Sequence, residues 1–168
     1  MLSTICDDLI YYQQIRLRRF YSNQEIKLYQ YFSEKTEVKP KIVILIDNYI
    51  YFVVDNKKYF KAKTKINGIR RQLASKKILI IRAENTLIRL LFSLFQDLYI
   101  HDIKIQMNIF TGKKEIYVCF LSYKERGIAV GRNGDYIKAV NKLFEKFVIF
   151  EHNRTPIKIR CEVSKLYN

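Results

Sequence analysis

Three of the protein's five glycines, Gly127, Gly131 and Gly134, fall within one short segment. This segment follows an apolar run typical of a strand and precedes a run with helical spacing. The first N–H groups of a helix have no intrahelical partners, and the helix dipole favours an anion there. Glycines also remove the Cβ atoms that would hold a phosphate away from the backbone. The cluster therefore predicts a phosphate-binding loop.

The spacing of the glycines distinguishes among the common phosphate loops. A Walker loop ends in G-K-[ST], which is missing here, and a dinucleotide fingerprint has G-x-G-x-x-G rather than the observed G-x-x-x-G-x-x-G. A G-x-x-G between two short helices is typical of a KH loop, which clamps about four nucleotides of RNA backbone. The alternative is a helix–turn–helix corner that needs glycines only for packing.

The side chains around these glycines suggest how RNA would be held. Arg132 is predicted to contact a phosphate, whereas Asp135 is expected to be an N-cap or first-turn residue. The apolar residues nearby either wall a groove for bases or belong to the core. The residues predicted to contact RNA in this segment are Arg126, Gly127, Ile128, Val130, Gly131, Arg132, Asn133, Gly134, Ile137 and Lys138.

A second candidate surface lies upstream. Between Asn56 and Ala83, ten residues are Lys or Arg and none is Asp or Glu. Charge runs are usually solvated faces, but a run wholly free of acids predicts contacts to the RNA backbone without base specificity. The candidates are Lys61, Lys63, Lys65, Arg70 and Arg71.

The net charge points to the same class of partner. The chain carries 31 Lys and Arg against 16 acids, a net charge of +15. Small soluble domains usually carry a magnitude of about 2 to 8. Repulsion on this scale opposes folding unless a polyanion is the habitual partner, so nucleic acid is expected first and an anionic membrane surface second.

Hydrophobic spacing predicts two copies of one α+β unit. In the first copy, Ser22 to Glu25 reads as a capping box, and the helix should end before Val38 because Pro40 disfavours helix ahead of it. A hairpin follows over residues 42–46 and 49–54, then a helix through Ile66, Ile69 and Leu73, and a strand over residues 78–81.

The second copy repeats that order of elements. Its predicted parts are a helix from Leu87 to Leu98, an alternating strand over residues 103–107, a turn at residues 111–113, a strand over residues 116–121, a helix through Ile137, Val140, Phe144 and Phe147, and a strand over residues 157–163. The predicted domains are therefore an N-terminal extension over 1–21, a first domain over 22–83 and a second over 84–168. The extension is predicted to contain a short helix with a basic end.

Residues 125–134, Glu-Arg-Gly-Ile-Ala-Val-Gly-Arg-Asn-Gly, resemble the second KH domain of NusA-type transcription factors, most closely the short archaeal form. The stretches 22–54 and 76–86 resemble that family's opening helix and hairpin and the junction between its KH domains. The first copy departs from the family because Lys61 to Lys65 stands where a glycine loop is often found, with Gly68 as the sole glycine nearby.

The resemblance implies an α+β fold of two tandem type II KH domains packed together, each a three-stranded sheet with helices on one face. It implies a non-enzymatic factor in transcription elongation, termination or antitermination, with nascent single-stranded RNA and RNA polymerase as partners. A cytoplasmic protein without cofactor, metal or catalytic residues is expected, with a monomer favoured.

Other functions remain open at this stage. A ribosomal small-subunit protein of the same KH type would also suit the charge, although that protein has a further domain for which there is no room here. A nuclease is disfavoured because no carboxylate pair or His cluster has metal-ligand spacing, and His101 and His152 are isolated. Three scattered cysteines, Cys6, Cys119 and Cys161, are interpreted as small core residues. No signal peptide and no apolar run of about 18 residues is found, so a membrane-spanning protein is not expected.

Overall fold

The computed structural model describes residues 12–19, 21–151 and 157–165 and has a mixed α+β fold. The chain divides into two compact units. Among the described residues, the N-terminal unit lies within Arg16–Asn85, and the C-terminal unit comprises those from Thr86 onward together with those up to Ile15. The α+β fold class predicted from the sequence is confirmed.

Helix α1 (Asn23–Thr36) opens the main part of the N-terminal unit, after the short strand β1 (Ile15–Leu17). Both halves of the predicted capping box are present, because the Ser22 side chain accepts from the Glu25 N–H and the Glu25 carboxylate accepts from the Ser22 N–H. The helix ends where expected, with Glu37 in the left-handed region at φ 57°.

The predicted hairpin consists of β2 (Ile42–Ile46) and β3 (Tyr49–Val54). The two strands are antiparallel, with Ile46 opposite Tyr49 and Ile42 opposite Val53. Asp47 enters the two-residue turn with φ 51°, a conformation that Asp tolerates better than most residues. Two β-branched and aromatic runs separated by Asp-Asn are a strong local hairpin signal, which is why this element was predictable.

Two short helices and a parallel strand complete the N-terminal unit. After a single 3₁₀ turn come α2 (Tyr59–Lys63) and α3 (Ile66–Gln72), and then β4 (Lys77–Arg82) pairs in parallel with β3. The sheet order is β2-β3-β4. Helices and sheet enclose one core, which contains Phe32, Val38, Val43, Ile50, Phe52, Val54, Tyr59, Ala62, Ile69, Ile78 and Ile80.

The C-terminal unit has the same order of elements. Its parts are α4 (Leu87–Leu94), β5 (Asp102–Met107), β6 (Lys114–Phe120), α5 (Tyr123–Val130), α6 (Asp135–Lys146), β7 (Val148–Phe150) and β8 (Lys158–Val163). Strands β5 and β6 are antiparallel, β6 and β8 are parallel, and the sheet order is β5-β6-β8. Each unit thus contains a helix, a hairpin, two helices and a parallel strand.

Some predicted elements differ from the structure. The predicted N-terminal helix is wrong for residues 12–19, where Ile15–Leu17 form a strand, and its earlier part lies outside the described residues. Gln13 and Gln14 are held by the C-terminal unit, whose Leu87 and Glu151 N–H groups donate to their carbonyls. The Leu-rich helix is shorter than predicted and ends at Leu94, with the Phe95 N–H still donating to the Leu91 carbonyl. Helix α2 and strand β7 were not foreseen.

Replacing Ser22 by alanine should lower the free energy of unfolding by about 1 kcal/mol, because it removes one side of the capping box at α1. Chemical denaturation of the wild type, of Ser22→Ala and of Ser75→Ala would measure the difference. Ser75 is an exposed serine in the loop before β4 and should be nearly neutral. Equal losses for both variants would contradict the capping role.

Candidate nucleic-acid interface

The glycine segment forms a tight four-residue connection between α5 and α6. Gly131 follows α5 with φ 79° and ψ 171°, and Gly134 precedes α6 with φ 72°. Between them, Asn133 also lies in the left-handed region with φ 54°. Three positive φ angles in four residues are costly for side chains other than glycine and asparagine, so the residue types match the turn.

Gly131 is also constrained by its neighbours. A Cβ atom at this position would overlap the Asp135 Oδ1 and would lie 2.9 Å from the backbone nitrogen of Tyr136. Tyr136 cannot easily yield, because its hydroxyl donates to the Leu94 carbonyl and its ring meets Phe95 edge-on with centroids 5.7 Å apart. The loop is therefore seated directly against the first turn of α6.

Gly127 differs from Gly131 although both belong to the same cluster. It lies inside α5, and a Cβ atom there would meet nothing within 4 Å. No steric demand explains this glycine. Within the cluster, the backbone conformation therefore requires glycine only at Gly131 and Gly134.

The tip of the loop is exposed and basic. Arg132 and Asn133 face solvent, and the Lys138 Nζ donates to the Asn133 carbonyl at 3.1 Å. Asp135 is the first residue of α6, as predicted for a first-turn acid. Arg132 and Lys138 thus place positive charge beside the N-terminus of a twelve-residue helix.

An open groove of about 690 Å³ begins beside this loop and follows the edge of β8. Five cationic side chains and one acid line it, together with an apolar floor. The lining residues are Tyr117, Arg126, Val130, Ile137, Lys138, Asn141, Lys142, Glu145, Ile157, Lys158, Ile159, Arg160 and Cys161. An open cationic groove of this kind suits an extended polyanion better than a compact small molecule.

Side chains from both helices hold the edge of β8. The Asn141 amide is bidentate to Ile159, donating to its carbonyl at 2.9 Å and accepting from its N–H at 2.8 Å. Two residues further along the strand, the Arg126 Nε donates to the Cys161 carbonyl at 3.1 Å. These contacts fix α5 and α6 against the strand and satisfy backbone groups that would otherwise face the groove.

The structure gathers most of the predicted C-terminal site. Val130 and Ile137 line the groove at the loop end, and Arg126 and Lys138 line it as well. Ile128 does not line it and is 58% exposed. Arg126 and Val130 are four residues apart and share a face of α5, so Ile128, midway between them, lies on another face.

Several groove residues were not predicted from the sequence. Asn141 follows Ile137 by four residues on α6, so helical spacing alone would have placed it in the groove. Lys158 and Arg160 alternate along β8 with the inward residues, which is also a readable signal. Tyr117 gives no such signal, because it reaches the groove only through the pairing of β6 with β8.

A buried acid holds one of the cations at this edge. The Glu115 carboxylate, on β6, accepts from the Arg160 Nε at 2.5 Å, from the Tyr117 hydroxyl at 3.2 Å and from the Asn108 amide at 3.1 Å. The hydrogen bond from Arg160 is the main reason that the pKa of Glu115 lies below its ordinary value. Arg160 therefore serves partly as an internal counter-ion.

The basic residues of the N-terminal unit are arranged differently. Thr64 and Lys65 join α2 to α3 as a continuous helical turn, in which the Thr64 N–H donates to Phe60 and the Lys65 N–H to Ala62. The amide groups of this turn are thus already engaged, so it offers no cradle like that of the glycine loop.

The five predicted contact residues of this unit fall into two groups. Lys65 and Arg71 are exposed, and Lys63 is half-buried with its Nζ over the Tyr59 ring. Lys61 pairs with Glu37 at 3.2 Å, and Arg70 donates to the Ile78 carbonyl at 3.2 Å. The latter two already serve local contacts within the unit.

The described cysteines are interior residues rather than reactive thiols. Cys119 and Cys161 are buried in strands, as interpreted from the sequence, and burial raises the pKa of each thiol to about 12. His101 is exposed, whereas Cys6 and His152 lie outside the described residues. Within the described parts of the chain, no group of three or more His, Cys, Asp or Glu side chains could hold a metal ion. No helix among those same residues is long and apolar enough to cross a membrane.

Comparison with known proteins supports the fold without assigning a family. No family model and no curated protein matches this sequence. The crystal structure of APE1850 is similar, with a TM-score of 0.58 and 19% identity, over 86% of this chain and 100% of that chain. At this identity the similarity shows the fold alone.

Two glycine substitutions should have opposite effects on stability. Gly131→Ala should lower the free energy of unfolding by at least about 1 kcal/mol, since it combines a positive φ with a clash against Asp135 and Tyr136. Gly127→Ala should be neutral or stabilising by up to about 1 kcal/mol, because alanine favours an unobstructed helix position. Urea unfolding of both variants gives the comparison, and equal effects would contradict the geometry described for the loop.

The Glu115–Arg160 pair predicts a defined dependence of stability on pH. The pKa of Glu115 is lower in the folded protein than in the unfolded chain. Its carboxylate therefore stabilises the fold fully at pH values above the unfolded-state pKa, and this stabilisation is lost as the pH falls through the folded-state pKa. Glu115→Gln should therefore cost about 1.5 to 3 kcal/mol near neutral pH, and the gap to wild type should narrow in acid. Chemical denaturation of the wild type and of Glu115→Gln, from neutral pH down into acid, tests this expectation. Glu145→Gln, at an exposed position, is the control. A gap that stays constant down to about pH 3 would contradict the assignment.

Proposed function

We propose that this protein binds single-stranded RNA without catalysing a reaction, and that the Gly131–Gly134 loop holds the sugar-phosphate backbone. The observation that carries the proposal is the left-handed glycine loop at the start of α6, beside a groove lined by five Lys or Arg side chains and one Glu. The phosphate-loop pattern, the helix N-terminus and the cationic groove all favour one kind of ligand.

The topology supports assigning both units to the type II KH class. In each unit a hairpin is followed by two helices and a strand that pairs in parallel with the second hairpin strand. In the C-terminal unit the two helices are joined by G-x-x-G, the feature that defines the KH clamp. The N-terminal unit keeps the topology and lacks this loop.

Phosphate binding would depend on close approach to the backbone. The two glycines let the chain turn tightly against the first turn of α6, so the N-terminus of that helix lies directly beside the loop. Arg132 at the exposed tip adds a charged donor. Binding of this kind releases counter-ions, so the affinity should fall steeply as salt rises.

Bases would occupy the groove. Val130, Ile137 and Ile159 offer an apolar surface. Bases of a single strand can turn out and lie against such a surface, whereas bases in a duplex are stacked and paired. The backbone groups of Ile159 are taken by Asn141, and the Cys161 carbonyl is taken by Arg126. Base contacts therefore fall mainly to side chains, and modest sequence preference is expected.

The resemblance of residues 125–134 to NusA-type factors gives the biological setting of the proposal. We infer a role in transcription elongation, termination or antitermination, with the nascent transcript as ligand and RNA polymerase as a protein partner. Nothing in the site requires a cofactor for this role.

The experiment is RNA binding by the double variant Arg132→Asp/Asn133→Asp, measured against salt. Two acids at the exposed tip should repel phosphate, lowering affinity for single-stranded RNA at least about tenfold, or 1.4 kcal/mol. The slope of affinity against salt should also decrease, because phosphate contacts are lost.

A matched control is Thr111→Asp/Lys113→Asp, which alters the net charge equally at an exposed turn of the same unit. It should change affinity much less. Unchanged affinity for the Arg132/Asn133 variant, with normal folding by circular dichroism, would overturn the loop assignment. Equal losses for both variants would show attraction by net charge alone.

A further inference from the structure

The N-terminal unit exposes an aromatic ring that its own core does not use. Phe60, on α2, is 70% exposed, although the neighbouring Tyr59 is only 3% exposed. The Phe60 ring meets the Tyr59 ring edge-on, with centroids 5.4 Å apart and planes inclined by 72°. Tyr59 therefore supports Phe60 from the core side while Phe60 itself remains open to solvent.

Two cations lie against this aromatic pair. The Arg82 guanidinium lies 4.5 Å from the Tyr59 centroid and 5.2 Å from the Phe60 centroid, and the Lys63 Nζ lies 5.4 Å from the Tyr59 centroid. The whole stretch from Asn56 to Ala83 contains ten Lys or Arg and no acid. An exposed ring in a cationic, acid-free setting suits a ligand that combines flat bases with phosphates.

The place of Phe60 in the fold strengthens this interpretation. Ala62 and Ala129 are buried small residues near the ends of α2 and α5, the corresponding helices of the two units. Phe60 precedes Ala62 by two residues, just as Gly127 precedes Ala129. Phe60 therefore occupies the position in the N-terminal unit that Gly127 occupies in the C-terminal unit. The N-terminal unit thus lacks the glycine loop and presents an aromatic ring one turn before the helix junction.

We propose that Phe60 stacks on a base of single-stranded RNA, with Arg82 and Lys63 supplying positive charge beside it. This inference rests on the proposed RNA-binding function and adds a base contact to a unit that has no phosphate clamp. Stacking on an aromatic ring is sequence-tolerant, because every base has a flat face. The N-terminal unit then binds RNA without reading its sequence.

The protein contains no tryptophan, so Phe60→Trp creates a single tryptophan, whose emission can be excited selectively over that of the tyrosines. Addition of an oligouridine should quench this emission, because a stacked base lies directly on the indole. An abasic oligomer of equal length and charge should quench it far less. Phe110→Trp, at a position 96% exposed on the β5–β6 turn, is the control and should be unaffected.

Affinity measurements give a second readout. Phe60→Ala should weaken oligouridine binding about tenfold, whereas Phe60→Tyr should retain most of the affinity. The dependence on salt should be unchanged in both, because no phosphate contact is lost. Phe60 is exposed, so these variants should fold normally, which circular dichroism can verify.

The outcomes separate the two proposals. The stacking inference fails if oligouridine leaves the emission of the Phe60→Trp variant unchanged and Phe60→Ala keeps the wild-type affinity. If the Arg132/Asn133 variant nevertheless loses binding, the loop assignment stands. Equal quenching by the abasic oligomer would also overturn stacking. If oligouridine binds neither unit of the wild type, the proposed function fails and the stacking inference fails with it.

Discussion

The candidate site depends on the absence of a side chain at Gly131. With a Cβ atom there, Asp135 and Tyr136 would have to move, yet Tyr136 is anchored in the core by the Leu94 carbonyl and the Phe95 ring. The left-handed turn is therefore held against α6 by core packing, in addition to the hydrogen bond from the Gly134 N–H to the Gly131 carbonyl within the loop. Because Val130 and Ile137 flank the turn, the same constraint sets where the groove begins relative to the glycine loop.

The two units share a topology and differ at one junction. In the C-terminal unit four residues with three positive φ angles separate the helices, while in the N-terminal unit Thr64 and Lys65 continue the helical path. The first arrangement leaves a glycine-lined turn at a helix start, and the second leaves cations and an aromatic ring on a helix surface. The positive charge therefore lies beside a helix start in one unit and on a helix surface in the other.

Local signals made much of the fold predictable from the sequence. The capping box at Ser22, the hairpin around Asp47 and the alternating strand that ends at Val163 each depend on residues close in the chain. Long-range contacts were not predictable: Glu115 and Arg160 are 45 positions apart, and the Asn141 amide meets β8 only after α6 packs on it. The predicted helix across Ile15 is wrong because a short stripe of apolar residues is compatible with both the helical and the strand period. Tertiary pairing favours the strand. The loop glycines were recognisable as a group, whereas the difference between Gly127 and Gly131 required the backbone angles.

The most direct test of RNA binding at the glycine loop is an NMR titration of the ¹⁵N-labelled protein with a short single-stranded RNA. We expect the largest amide shifts on residues 130–138, with further shifts at Asn141 and along β8. A matching duplex should produce much smaller shifts, because paired bases cannot enter the groove. Shifts confined to the β5–β6 turn, or an equal response to duplex and single strand, would contradict the assignment of the loop as the RNA clamp.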